Sequence, residues 1–68
     1  MTLKELGKKV KKARKECKIT QRRLSEISGL NIATIRKIEQ GVVSINFRNL
    51  TIIAIALKKR LVIFFDDI

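Results

Sequence analysis

Residues Thr20 to Gly41, TQRRLSEISGLNIATIRKIEQG, decide the fold. Thr20 stands where a helix N-cap belongs, its hydroxyl available to the free amides of the turn that follows. A helix from about Gln21 to Ser28 buries Leu24 and Ile27, and Gly29 takes the left-handed position that commonly ends a helix. Asn31 then caps another helix, which runs to about Gln40 before Gly41 stops it. The connection is only Gly29, Leu30 and Asn31, and Leu30 must point inward to pin it. The stretch therefore predicts two short amphipathic helices joined by a tight turn.

Working outward, Leu3, Leu6, Val10, Ala13 and Cys17 recur at helical spacing and fall on one narrow stripe. Lys4, Lys8, Lys11 and Lys15 form a second stripe on the solvent side of that first helix. Beyond Gly41, Asn46 caps a fourth helix from Phe47 to about Leu57. Phe47, Leu50, Ile53, Ala54 and Leu57 form its inner face. Ile52 and Ile55 project the other way, near Arg48 and Lys59, and a second apolar face needs a cover. A homodimer is the expectation.

The tail Arg60 to Phe65, RLVIFF, is β-branched and aromatic and reads as a strand. Leu61, Ile63 and Phe65 would face one way, Val62 and Phe64 the other. A lone strand leaves its ladder unpaired, so the expected partner is the same tail of a second subunit. The competing reading is a short fifth helix with Leu61, Phe64 and Phe65 in the core. One domain over 1–68 is expected: a helical core over 1–57 and a dimerising tail over 58–68, with Ile52, Ile55, Val62 and Phe64 at the dimer interface.

Composition narrows the chemistry. A chain of 68 residues supports one small core. Cys17 is the single cysteine and histidine is absent, so neither an internal disulfide nor a zinc site is expected. Cys17 reads as a small core residue, and a lone thiol suits a reducing cytoplasm. The start, MTLKELGKKVKK, has no apolar region of a signal peptide, and the uncharged run Asn49 to Leu57 is too short to span a bilayer. Sixteen Lys and Arg against six Asp and Glu give a net charge of +10, and ten of the cations lie between Lys4 and Arg23. With a pI near 10.6, nucleic acid is the expected partner, ahead of an anionic membrane surface.

The arrangement from Leu6 to Leu57 resembles the phage-repressor and Cro type helix-turn-helix domains, the XRE family. Arg14, Thr20-Gln21, Leu24, Gly29-Leu30, Thr34-Ile35, Ile38-Glu39, Gly41 and the Leu50, Ile53, Ala54, Leu57 series carry the resemblance. It implies an all-α, lambda-repressor-like bundle of four to five helices whose second and third form the DNA-binding unit. Ser25 departs from the alanine common after the leucine of the second helix. An extended tail is similar to strand-ended members, including HipB-like antitoxins.

On a helical wheel Ile35 and Ile38 define the inner face of the third helix. Ala33, Arg36, Lys37 and Gln40 face outward, with Ile32 at the exposed N-terminal edge. In a helix-turn-helix this edge meets the bases. Arg36 and Lys37 can donate to guanine O6 and N7, while Ile32 and Ala33 can touch thymine methyls. The alternative for both cations is phosphate contact alone. Thr20, Gln21, Arg22 and Arg23 lie at the start of the second helix, whose amides and dipole suit a phosphate, and the resemblance adds Gln40. It also implies a partly buried salt bridge between Arg14 and Glu39, structural in role.

Asp66 and Asp67, the only adjacent carboxylates, read as solubilising ends, and no nucleophile–base pair suggests an enzyme. The sequence thus predicts a sequence-specific regulator, a repressor that binds double-stranded DNA as a homodimer on a palindromic operator. No cofactor, metal or small-molecule ligand is expected. The alternative is an antitoxin that binds a partner toxin and autoregulates its own operon.

Overall fold

The computed structural model describes residues 1–65, so Asp66 and Asp67 lie outside the described residues. Four α-helices and a final 3-10 segment follow in order: α1 (Leu3–Glu16), α2 (Gln21–Ser28), α3 (Ile32–Gln40), α4 (Phe47–Ala56) and the 3-10 segment Leu61–Phe65. Each α-helix opens on a side-chain oxygen that accepts a first-turn amide. Thr2 takes Glu5 at 3.1 Å, Thr20 takes Arg23 at 3.0 Å, Asn31 takes Ala33 at 2.8 Å and Asn46 takes Asn49 at 2.7 Å.

The C-terminal ends differ. Gly29 and Gly41 close α2 and α3 with φ of +76° and +74°. Lys18 and Lys58 follow the caps of α1 and α4 in the same left-handed region, at +58° and +55°. The Lys58 amide bonds to the Ile55 carbonyl at 3.0 Å and the Lys59 amide to Ala54 at 2.9 Å, which satisfies carbonyls at the end of α4.

The core is Val10, Ala13, Leu24, Ile35, Ile38, Leu50, Ile53, Ala54, Leu57 and Phe64. Cys17 joins its edge and donates from Sγ to the Leu57 carbonyl at 3.3 Å. Helix α1 packs closely on α3 at Gly7. A Cβ there would stand 2.4 Å from the Ile38 carbonyl oxygen and 2.8 Å from that of Glu39, so only glycine permits this approach.

Three expectations from the sequence need correction. The tail is no strand: in a 3-10 turn residues i and i+3 share a side, and the burial follows that period. Phe64 is fully buried and Leu61 packs on the core, while Val62 and Phe65 face outward. Four short helices leave one end of the core open, and Phe64 fills it from the same chain. Ile27 is 41% exposed, because the inner face of α2 runs through Gln21, Leu24, Ser25 and Ser28 and leaves Ile27 on its edge. Phe47 is 70% exposed, since α4 begins beyond the limit of the core.

Candidate nucleic-acid interface

The first turn of α2 is an anion-seeking surface. Thr20 Oγ1 occupies the Arg23 amide, which leaves the Gln21 and Arg22 amides with no acceptor among the described residues. The helix dipole adds positive potential there. Arg22 is exposed and pairs with no described carboxylate, whereas Arg23 reaches Glu26 at 3.3 Å. That pair is exposed on both sides, a contact of small energy that a phosphate can displace.

The turn that sets α3 against α2 is held by two serines. Ser25 Oγ donates to the Leu30 carbonyl at 2.6 Å, and the Leu30 amide donates to Ser28 Oγ at 3.1 Å. Ser25, the departure from the usual alanine, therefore fastens the turn to α2. With Leu30 half-buried against the core and Gly29 left-handed, the path of the chain into α3 is closely constrained.

Behind α3 lies a charged network. Arg14 Nε donates to Glu39 Oε2 at 2.7 Å and Arg14 Nη2 donates to Glu39 Oε1 at 3.1 Å. Arg14 Nη1 donates to the Ile19 carbonyl at 2.8 Å, and Gln21 Nε2 donates to Glu39 Oε1 at 3.0 Å. Arg14 and Glu39 are both buried, and no buried side-chain nitrogen or oxygen among the described residues lacks a partner. Bidentate geometry and full satisfaction are the conditions under which a buried ion pair holds together. The network ties α1, the start of α2 and the end of α3 into one rigid unit.

On the opposite face of α3, Ala33, Arg36, Lys37 and Gln40 are exposed and Ile32 is half-buried at the N-terminal edge. Neither Arg36 nor Lys37 pairs with a described carboxylate. The surface thus offers free cationic donors beside small apolar groups, the mixture that base edges require. Gln40 stands one turn further along, next to the loop of exposed Val42 and Ser44. Gln21, like Thr20 and Arg23, is already partly engaged within the chain, because one N–H of its amide is committed to Glu39. Its side chain keeps the second N–H. Nothing in the sequence pattern marked that bond, although Gln21 and Arg14 both sit within reach of one carboxylate once the helices are packed.

The expected dimer residues divide. Ile55 and Val62 are 71% and 61% exposed, Ile52 is half-buried, and Phe64 is inside the protomer and unavailable to a partner. Among the described residues no group of His, Cys, Asp and Glu could hold a metal, and no helix is long and apolar enough to cross a membrane.

A family model described as helix-turn-helix matches residues 10–64, from the middle of α1 to Phe64. No curated protein matches the chain.

Proposed function

The chain belongs to the Cro/C1-type (XRE) helix-turn-helix family of DNA-binding transcription regulators, and we propose that it acts as a repressor that occupies a palindromic operator as a homodimer. The observation that carries the reading is the outer face of α3, where Arg36 and Lys37 pair with no described carboxylate, on a helix braced from behind. In this reading α3 lies in the major groove, and Ile32, Ala33, Arg36 and Lys37 meet base edges. Thr20, Gln21, Arg22, Arg23 and Gln40 grip the flanking phosphates and set the register.

The outer face of α4 supports the dimer. Ile55 is exposed there beside half-buried Ile52, and Val62 stands out from the adjoining 3-10 segment. With principal extents of 30 × 23 × 20 Å, two copies joined side by side suit successive major grooves about 34 Å apart. Occupancy would exclude polymerase by position, with affinity set by protein concentration and salt. An antitoxin role rests on the same apolar surface. The 3-10 form of Leu61–Phe65 removes the strand on which both the likeness to strand-ended members and the pairing of two tails rested, so either occupant would rest on Ile55, Ile52 and Val62 alone.

Sedimentation of the full chain tests the reading. The wild type should run as a dimer, and Ile55→Asp should run as a monomer with weaker operator binding. A monomeric wild type with undiminished DNA affinity contradicts it.

A further inference from the structure

Helix α1 carries a feature that the readout face does not use. Lys4, Lys8, Lys11 and Lys15 project from one side of it, all exposed. At 100° per residue they fall within about 60° of arc, and at 1.5 Å per residue they extend over about 16 Å. None pairs with a described carboxylate: Glu5 bonds to Thr2, and Glu16 is engaged by Lys59 at 3.3 Å. Like charges at i,i+3 and i,i+4 repel, so the stripe weakens the helix that bears it. A polyanion laid along it removes that repulsion.

The stripe also looks away from the bases that α3 reads. Helix α1 meets α3 through Gly7, against the Ile38 and Glu39 carbonyls, and through Arg14. Those contacts lie on the core side of α3, opposite Arg36 and Lys37. Lys8, Lys11 and Lys15 lie on a further face of α1, turned from the core and to the side of its contacts with α3, while Lys4 at the start of the stripe stands against Gly41, the cap of α3. Lysine supplies point charges with no planar fork, which suits phosphates along a backbone better than base edges.

We propose that this lysine stripe is a second, sequence-independent DNA-binding surface, which holds a duplex segment other than the one α3 reads. The protein would then bridge two DNA segments, one selected by sequence and one held by charge. The inference rests on the DNA-binding assignment of the readout face.

The test is capture of a second duplex. One duplex carrying a bound site is fixed to a bead, protein is added at low salt, and a fluorescent duplex of unrelated sequence is offered. Three full-length proteins are compared: wild type, K8Q/K11Q/K15Q, and a control of equal charge loss, K18Q/K58Q/R60Q. Retention of protein on the first duplex and melting temperature are read for each.

The wild type and the control should capture the second duplex. The stripe variant should lose capture by roughly tenfold or more, as expected for about three lost phosphate contacts, while it melts at or above wild type and stays on the first duplex. Capture that survives in the stripe variant, or is lost equally in the control, overturns the proposal. So does a stripe variant that only lowers the salt dependence on a single duplex, because the lysines then share the duplex that α3 reads. Wild type that holds the first duplex and captures nothing overturns the bridge alone. Wild type that holds no duplex overturns the readout assignment with it.

Discussion

Gln21 donates from Nε2 to Glu39 Oε1 at 3.0 Å, on the same oxygen that receives Arg14 Nη2. The first residue of α2 is therefore fixed to the far end of α3 by a carboxylate that α1 also grips. The proposed phosphate contacts at the start of α2 and the proposed base contacts on α3 would share one brace, so register and readout would move together.

Removing one member of that brace leaves a buried charge. Glu39→Ala and Arg14→Ala should each cost about 3–5 kcal/mol. In a domain of this size each kcal/mol lowers the melting temperature by roughly 4–8 °C, so either variant should melt far below wild type. The double variant should lose less than the sum of the two, since neither charge is then stranded. Thermal unfolding by circular dichroism reads both results, and unchanged melting in the single variants would remove the network from the account.

Gly7→Ala opposes two effects. Alanine favours the middle of a helix by about 1 kcal/mol over glycine. Its Cβ would meet backbone oxygens at 2.4 and 2.8 Å, and backbone cannot swing aside as a side chain does. The clash should win, with a net loss of about 1–3 kcal/mol in urea unfolding. A more stable variant would show that α1 can lift from α3 without cost.

Lys58 is a left-handed residue with a Cβ, at φ +55°. Lys58→Gly should raise stability by about 0.5–1 kcal/mol through relief at the end of α4. Gly41→Ala should do the reverse, because φ is +74° and an added Cβ would stand 2.6 Å from Lys4 Cα. Opposite shifts of the unfolding midpoint check the pair.

Phe64→Ala should destabilise the protomer by about 3–5 kcal/mol, as expected for a fully buried aromatic. Val62→Asp, two residues away and exposed, should leave the melting of the monomer unchanged and weaken the proposed dimer. Melting and sedimentation on both variants separate core from interface.

Much of this was legible in the residues. Thr20, Asn31 and Asn46 announce helix starts, and Gly29 and Gly41 announce ends, because caps act locally and need no knowledge of the rest of the chain. The outward set on α3 followed from period alone. The tail did not. RLVIFF is apolar on every side, so neither strand nor helix periodicity stands out, and what settles its shape is the opening in the core that Phe64 fills. Ile27 and Phe47 misled for a related reason: a wheel shows direction, while burial also needs an element opposite. Gly7 left a trace that was readable in retrospect, seven residues before Arg14 on the face that turns to α3. Ser25 left none, since its role depends on where the Leu30 carbonyl lands.

The most direct test of sequence-specific readout by α3 is selection of bound sites from random duplex DNA at a stated salt concentration. Wild type should enrich a two-fold symmetric motif with half-site centres about 10 base pairs apart, and Arg36→Ala should lose preference at one position in each half-site, at about 1–3 kcal/mol. No enriched motif, or the same motif with the same preferences in the Arg36→Ala protein, would contradict the assignment of α3 as the reader.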